Sequence, residues 1–446
     1  MNPLIVKLNR MSSARKIIFG FLAMILLGAL FLYLPISTKP GQPHTSFLDA
    51  VFTSASATCT VGLIRYDTFT HWTLFGQAVI LLLIQIGGFG FMTLAIYLAT
   101  ITKRRIGLSQ RALMQDSVAS PQIGGIVKLT RMIFLGTFAI EGIGALLLAF
   151  YFVPMLGFVR GVYYSVFHSI SAFCNAGFDL MGFIEPSASL VSMQQNVYVN
   201  IIIMALGITG GLGFFVLADL KKCKLKYGYY RLHTKLVLVT TAVIVLCGSL
   251  LIYIFELGNG DPVENIMPSC FQAVMAHTCG YASKNVAEYT HASQLVMIVI
   301  MAIGASPGST RGGMKTTTVA VLFLNIVAIF RRKKNIECFH RRIDDDIVRK
   351  ASCVATLHIV LIVVCAVIIS WVDKVPMNAS LFETASAISM DGMTLGITPT
   401  LGAVSQCLLI FLMFFGRAGT LTVLLALSSE STIIVSRLPA EKIQIG

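Results

Sequence analysis

Thr58-Cys59-Thr60-Val61-Gly62-Leu63 is a short string with one glycine, and altered copies of it recur three times along the chain. The copies are Phe173-Cys174-Asn175-Ala176-Gly177-Phe178, His277-Thr278-Cys279-Gly280-Tyr281 and Ser389-Met390-Asp391-Gly392-Met393. Their glycines lie 115, 103 and 112 residues apart, and each follows a phenylalanine by nine or ten residues. Because the period and the internal spacing agree, we interpret the chain as four tandem copies of one unit.

A short, semi-apolar segment precedes each string. The four segments cover residues 48–56, 161–171, 263–276 and 378–388. Eleven helical residues span about 16 Å, roughly half the hydrocarbon thickness of a bilayer. Such a segment cannot cross a membrane, so we expect it to enter as a half-helix and to return through the glycine string.

The composition is that of an integral membrane protein. Of 446 residues, 56% are hydrophobic and 12% are charged, whereas soluble domains average about 25% charged residues. Long apolar runs also exclude an outer-membrane barrel, whose strands would alternate over about 10 residues. The eight stretches long enough to span wholly or nearly as helices are 17–36, 72–101, 132–152, 197–217, 236–255, 295–330, 354–372 and 407–427. The first is expected to be retained, because it lacks a signal-peptide cleavage site.

Basic residues gather on one side of these stretches. Of 34 Lys and Arg, 26 fall in residues 1–16, 102–131, 220–235, 331–350 and 434–446, and five fall on the opposite side. The positive-inside rule therefore predicts that both termini are cytoplasmic. Topology and anchoring on anionic membrane lipid explain the net charge of +14, so no nucleic-acid partner is expected.

The predicted fold class is an all-α polytopic membrane protein with eight full spans. Four span–pore-helix–filter–span units surround one pore with pseudo-fourfold symmetry. The units cover residues 17–101, 132–219, 236–330 and 351–433. Cytoplasmic segments are the N-terminus 1–16, the connections 102–131, 220–235 and 331–350, and the C-terminal tail 434–446.

Four re-entrant strings around an axis suit a cation pore. Non-helical backbone at membrane depth must be buried in protein or line a cavity, and backbone carbonyls can replace the water around a cation. Glycine tolerates the positive φ that turns carbonyls inward, and the C-terminal ends of the half-helices favour cations. The candidate filter residues are Thr58, Cys59, Thr60, Val61, Gly62, Phe173, Cys174, Asn175, Ala176, Gly177, His277, Thr278, Cys279, Gly280, Ser389, Met390, Asp391 and Gly392.

Asp391 is the acidic residue of the fourth string, and its role has two interpretations. It is either a direct ion ligand or a brace that accepts hydrogen bonds from neighbouring amides. We favour the brace, because one charged arm among four would hold an ion too tightly for passage.

The sixth span is interrupted by residues 304–315. They read Gly304-Ala305-Ser306-Pro307-Gly308-Ser309-Thr310-Arg311-Gly312-Gly313-Met314-Lys315. Four glycines and a proline will not hold a helix. A phosphate-binding loop is excluded because Met314 separates Gly313 from Lys315 and no strand precedes the segment. We interpret it as an unwound segment that lines the pore under the filter.

Two charged residues and two glycine clusters lie in other spans. A charge at mid-span usually faces a cavity, so we expect Arg417 to donate to carbonyls and hydroxyls of the interruption, such as those of Ser306, Ser309 and Thr310. Glu141, in the third span, is a candidate partner for a basic residue. Its position along that span does not decide whether it forms such a pair. The clusters at 87–90 and 207–213 are either sites of close helix packing or further copies of the hinge, and packing is favoured.

A span, a pore helix, a filter string and a span, repeated four times in one chain, resemble the Trk/Ktr/HKT superfamily of potassium transporters. The strings TVGL, NAGF and TCGY are similar to the TVGYG potassium filter, and MDGM departs most. The start of the spans directly with unit one and the ending at residues 437–446 resemble KtrB-like membrane subunits of Ktr systems. The resemblance implies that Gly62, Gly177, Gly280 and Gly392 form the narrow filter, that residues 304–315 with Arg417 form the gate, and that the ion is potassium.

The same resemblance implies a homodimer on a cytoplasmic ring of KtrA-like nucleotide-binding regulators, because no inner segment of this chain is large enough for a sensor fold. Sodium stimulation, and the choice between channel and coupled transport, stay open, and no organic cofactor is expected. The alternative function is a secondary carrier for another solute that uses broken helices. No enzyme is expected, because HExxH and paired intramembrane carboxylates are missing from the sequence.

Overall fold

The computed structural model describes residues 13–90, 126–224, 226–259 and 261–419. Within these ranges the chain forms fifteen α-helices and one two-stranded hairpin. Expectations for the end of the second span, most of the first connection, the end of the eighth span and the C-terminal tail lie outside the described residues.

The elements follow one another in four groups. The first group is α1 (Ser13–Tyr33), α2 (Phe47–Thr58), α3 (Thr68–His71) and α4 (Leu74–Phe89). The second is α5 (Ile126–Leu156), α6 (Phe158–Phe173), α7 (Val197–Gly211) and α8 (Phe214–Cys223). The third is α9 (Leu232–Phe255), α10 (Pro262–His277), α11 (His291–Ile303) and α12 (Thr316–Phe330). The fourth is β1 (Ile336–Cys338), β2 (Arg341–Ile343), α13 (Asp345–Asp373), α14 (Met377–Ser389) and α15 (Ala403–Ala418).

The long helices identify a polytopic membrane protein. Four of the described helices, α1, α5, α9 and α13, are long and apolar enough to cross a bilayer, and each is the first helix of its group. The later helices of each group are shorter, and α7 and α8 meet at a bend of 97°. Within the described residues four helices thus have spanning length, and the eight predicted spans stay a prediction.

A positive-φ glycine lies within two residues of the C-terminal end of α4, α7, α11 and α15. These glycines are Gly90, Gly213, Gly304 and Gly419, with φ of 77°, 90°, 70° and 82°. Gly213 lies at the bend between α7 and α8. Each of the two glycine clusters therefore contains one glycine at a helix boundary, Gly90 or Gly213.

Close packing explains the earlier glycines of the same clusters. A Cβ on Gly87, Gly210 or Gly416 would overlap a backbone carbonyl oxygen at the end of the half-helix of its own group. These oxygens belong to Thr58, Phe173 and Ile388. Because backbone carbonyls cannot move aside like the ends of flexible side chains, the half-helices can approach the second helices this closely only at glycine.

Substitution of Gly210 should therefore lower thermal stability. The Cβ of Gly210→Ala would overlap the Phe173 oxygen, and overpacking costs typically about 1–3 kcal/mol. The control is Gly142→Ala, because Gly142 is an exposed residue of α5 with nothing near its Cβ position and alanine is the better helix former. Thermal unfolding in detergent should show a loss of several degrees for the first variant only. Equal midpoints would contradict the packing argument.

The hairpin corrects the all-α expectation. Ile336 pairs with Ile343 in antiparallel register, and both pack with Val321, Ala328 and Ala351 in a small core. Arg341 and Arg342 stay exposed. Side chains of a strand alternate between two faces. Two buried isoleucines therefore suffice for a hairpin in a segment that was predicted, from its charge, to be a cytoplasmic connection.

Candidate ion-conducting site

The glycines of the four strings, called the ring glycines below, meet at one cavity. Gly62, Gly177, Gly280 and Gly392 all line a cavity of about 360 Å³. Their φ values are 99°, 67°, 70° and 99°, a region that side chains rarely adopt. Residues that lie more than a hundred positions apart in the sequence are thus brought together with similar backbone geometry.

The ring glycines touch one another's strings in chain order. A Cβ on Gly62 would lie 2.5 Å from the Ala176 oxygen, and one on Gly177 would lie 2.5 Å from the Cys279 oxygen. The remaining contacts run from Gly280 to the Asp391 oxygen and from Gly392 to the Val61 oxygen. Each glycine therefore abuts the carbonyl that precedes the next ring glycine, and the fourth string closes on the first. No side chain fits in this ring.

Three strings leave their half-helix by the same turn. A residue in the left-handed region follows the helix end, namely Thr60, Asn175 or Met390, with φ of 55° to 59°. The next amide then donates to a carbonyl five residues earlier. These bonds join Val61 to Ser56, Ala176 to Ser171 and Asp391 to Ser386, at 2.8, 2.8 and 2.9 Å. This pattern is a Schellman-type helix end, and it turns the backbone abruptly out of the helix.

The third string is one residue shorter, and the structure shows which residue it lacks. Thr278 has φ of −122°, and the Gly280 amide itself donates to the Met275 carbonyl at 3.1 Å. The left-handed residue of the other strings is missing here. This explains why Phe271 precedes its glycine by nine residues instead of ten.

Serines brace the strings, which the sequence analysis missed. The Gly62 amide donates to Ser56 Oγ at 3.1 Å, and the Gly392 amide donates to Ser386 Oγ at 2.9 Å. In the second string Ser171 Oγ donates to the Phe178 carbonyl at 2.7 Å. The available signal was a serine six residues before three of the four ring glycines.

Residues 304–315, called the intramembrane loop below, lie on the opposite side of the strings from the cavity. Thr310 Oγ1 donates to the Phe173 carbonyl, and Thr60 Oγ1 donates to the Thr310 carbonyl, both at 3.2 Å. Ser306 donates its amide to the Gly211 carbonyl at 3.1 Å. The loop thus contacts residues that precede the ring glycines, whereas the cavity also contacts residues that follow them.

Arg417 joins the intramembrane loop to the first group. Its Nη1 donates to the Thr310 carbonyl and, at 3.3 Å, to Thr60 Oγ1, and its Nη2 donates to the Gly87 carbonyl. The loop was predicted to be a partner of Arg417. Arg417 contacts it at one backbone carbonyl, that of Thr310. The hydroxyls of Ser306 and Ser309 are instead satisfied within the loop and the start of α12, by Thr316 Oγ1 at 3.1 Å and by the Arg311 carbonyl at 3.0 Å.

Asp391 is paired with a residue of the loop that the sequence analysis did not link to it. Its Oδ1 lies 2.7 Å from Arg311 Nη2, and neither side chain is exposed. Arg311 Nε also donates to the Ser389 carbonyl at 3.0 Å, and Nη1 donates to the Ala276 carbonyl at 3.2 Å. A guanidinium is thus the partner of Asp391 here. The sequence signal for this pair was the presence of two opposite charges, Arg311 and Asp391, in segments predicted to lie within the membrane. Such charges are costly there unless they pair.

Glu141 has no basic partner among the residues that the structure describes. Its carboxylate accepts from Gln85 Nε2 at 3.1 Å and from Cys174 Sγ at 3.6 Å. Its backbone carbonyl accepts from Ser169 Oγ at 2.6 Å. It therefore lies behind the second string, among an amide, a thiol and a hydroxyl.

The outer cavity is acidic. Asp179, Glu185 and Glu288 line it together with the ring glycines, and a cleft lined by one sign of charge concentrates ions of the opposite sign. Asp49, nearby in sequence to the first string, is instead paired with Arg65 at 2.7 Å. The geometry offers cations an acidic entrance, a ring of carbonyls and a loop behind it.

Comparison with known proteins agrees with this geometry. The family model TrkH, described as a cation transport protein, matches residues 16–436. The chain is 38% identical to the Ktr system potassium uptake protein B of Bacillus subtilis, over 94% of this chain and 93% of the relative. It is 35% identical to the potassium/sodium uptake protein NtpJ of Enterococcus hirae, over 98% of each. The crystal structure of the potassium transporter TrkH from Vibrio parahaemolyticus has the same fold, with a TM-score of 0.71 at 18% identity, over 92% of this chain and 83% of that one.

Proposed function

Because the chain belongs to the TrkH family of cation transport proteins, which are not enzymes, we propose that it is the ion-conducting subunit of a potassium uptake system in the cell membrane. The observation that carries the proposal is the closed ring of four positive-φ glycines against backbone carbonyls. Such a ring offers a dehydrated cation several oxygen ligands without a formal charge.

The pore is formed by four units in pseudo-fourfold arrangement, with the boundaries and the eight spans given above. The chain-order contacts of the ring glycines support this arrangement. Both termini lie in the cytoplasm, as the basic segments indicate. The filter consists of the four strings, and the gate consists of the intramembrane loop with Arg417.

Potassium is the proposed cargo, since relatives at 38% and 32% identity are named potassium uptake proteins. The name of the relative from Enterococcus hirae adds sodium, so sodium is a second ion to be tested as a stimulant or as cargo. A secondary carrier for another solute is the alternative, but a ring of backbone carbonyls suits a dehydrated cation.

Uptake of rubidium, a potassium analogue, tests the proposal directly. Cells without their own potassium uptake should grow at low potassium when they express the chain together with a regulator. Liposomes with the purified chain should take up ⁸⁶Rb⁺, and excess potassium should compete more strongly than excess sodium. Failure of uptake in both systems, with the protein folded and inserted, would overturn the proposed function.

The subunit is proposed to act as a homodimer on a cytoplasmic ring of KtrA-like regulators. The relatives' naming as parts of a Ktr system supports a partner subunit. A partner that binds the closed and open loop unequally would shift the gate.

Truncation after Arg437 should weaken the homodimer. The tail 438–446 lies outside the described residues, and it is weakly apolar although it follows cytoplasmic bases. We expect a shift from dimer toward monomer in size-exclusion chromatography with light scattering. The control replaces the tail with a Gly/Ser segment of equal length, which should behave like the truncation. A truncated protein that stays fully dimeric would refute a role of the tail.

A further inference from the structure

The pair of Arg311 and Asp391 joins the fourth filter string to the intramembrane loop. Asp391 directly precedes the ring glycine Gly392, and its carbonyl abuts the ring glycine Gly280. The pair is fully buried, with 2.7 Å between the charged groups. One residue of the loop therefore touches the arm of the filter that carries a carboxylate.

The pair makes the fourth arm electrically similar to the others. The residues that precede the other ring glycines are Val61, Ala176 and Cys279, of which two are apolar and the third is a buried thiol. An unpaired carboxylate at this position would add a full negative charge to one arm at low dielectric, where charges interact strongly. The Arg311 guanidinium neutralises that charge while the loop is in place.

Arg311 cannot keep this position if the loop moves away. Its guanidinium also donates to the carbonyls of Ser389 and Ala276, at the ends of the fourth and third half-helices respectively. The carbonyl of the residue before it, Thr310, accepts from Arg417 and Thr60. The Arg311 carbonyl accepts from Lys315 Nζ at 2.6 Å. The contacts of the two carbonyls hold the backbone of Arg311 within the loop segment that would have to leave for ions to pass, so displacement of that segment would carry its guanidinium away from Asp391.

We propose that Arg311 and Asp391 make the charge of the filter depend on the position of the loop. With the loop in place the fourth arm is neutral, and with the loop displaced the Asp391 carboxylate is uncovered beside the ring. Cation binding at the filter therefore strengthens when the gate opens. This inference rests on the proposed function of the ring and the loop.

A double-mutant cycle tests the pair. The variants are Arg311→Gln, Asp391→Asn and the two combined, and the measurements are ⁸⁶Rb⁺ uptake into liposomes and its half-blocking Ba²⁺ concentration. Arg311→Gln should lower that concentration about tenfold or more, because a divalent ion gains most from an unpaired carboxylate. Asp391→Asn should lower uptake about tenfold or more, because a buried unpaired cation remains behind the ring. The combined variant should return both values to within about threefold of wild type.

Arg417→Ala tests the dependence on loop position without altering the pair. It releases the Thr310 carbonyl, so the half-blocking Ba²⁺ concentration should fall toward that of Arg311→Gln. The Arg417→Ala measurement tests the proposal even if Arg311→Gln or Asp391→Asn fails to fold. Size-exclusion chromatography would reveal such a failure. Two outcomes would overturn this inference alone, provided that the wild type takes up ⁸⁶Rb⁺. The first is that the effects of the two single variants are additive. The second is that the half-blocking Ba²⁺ concentration of Arg417→Ala equals that of wild type. Absent wild-type uptake would instead overturn the proposed function.

Discussion

Liposomes that contain the Arg417→Ala variant should take up ⁸⁶Rb⁺ roughly tenfold faster than wild type when no cytoplasmic partner is present. The guanidinium donates to the Thr310 carbonyl of the loop and to the first group at Thr60 and Gly87. Hydrogen bonds from a charged donor contribute about 1.5–3 kcal/mol each, and about 1.4 kcal/mol corresponds to a factor of ten in an equilibrium. Losing them shifts the loop toward its displaced state.

Two matched variants separate this effect from a general loss of charge. Arg160→Ala removes an exposed arginine at the start of α6 and should leave uptake unchanged. Arg417→Lys keeps the charge but loses the planar fork that reaches two partners, so its uptake should be intermediate. If Arg417→Ala is folded and its uptake is equal to or lower than that of wild type, the loop is structural and the gate lies elsewhere.

Gly280→Ala should reduce potassium uptake by at least about tenfold and weaken discrimination against sodium. Its Cβ would overlap the Asp391 carbonyl oxygen, so the ring must distort, and left-handed backbone costs an L-residue roughly 1–2 kcal/mol in addition. Since selectivity depends on the number and placement of carbonyls, distortion changes both rate and preference. Gly62→Ser, Gly177→Ser and Gly392→Ser should act in the same direction.

Gly41→Ala is the control for the glycine ring. Gly41 has φ of 86° and nothing within 4 Å of its Cβ position, so it carries the same backbone penalty without the contact. Competition of ⁸⁶Rb⁺ uptake by sodium and potassium should be unchanged for this variant. If Gly280→Ala and Gly41→Ala give equal profiles at equal membrane levels, the ring is not the filter.

The features that the sequence predicts well here are those set by the length of a segment and by the backbone conformation of single residues. A half-helix too short to cross a bilayer, a glycine at fixed distance from a phenylalanine and an interruption rich in glycine are all local patterns. The structure places them together at one cavity and one loop. The positive-φ requirement of the ring glycines is likewise a property of single residues.

Contacts between units are what the sequence did not reveal. Arg311 and Asp391 are 80 positions apart, and only packing of the loop against the fourth string brings them to 2.7 Å. Because the sequence does not reveal that contact, the filter and the gate were predicted as separate parts. Backbone amides were predicted as the hydrogen-bond donors to Asp391. Arg417 was placed near the loop correctly, but its partner could not be chosen among several oxygens of similar chemistry.

The positive-φ glycine near the end of α4, α7, α11 and α15 has a consequence for the origin of regulation. At Gly213 the break is almost immediate, since α8 begins at the next residue, whereas in the third unit residues 304–315 separate α11 from α12. A chain built by duplicating one ancestral unit would inherit this joint four times. Lengthening it in the third copy relative to the second then creates a movable barrier without altering the surrounding scaffold, so control of the pore could be acquired after the pore itself.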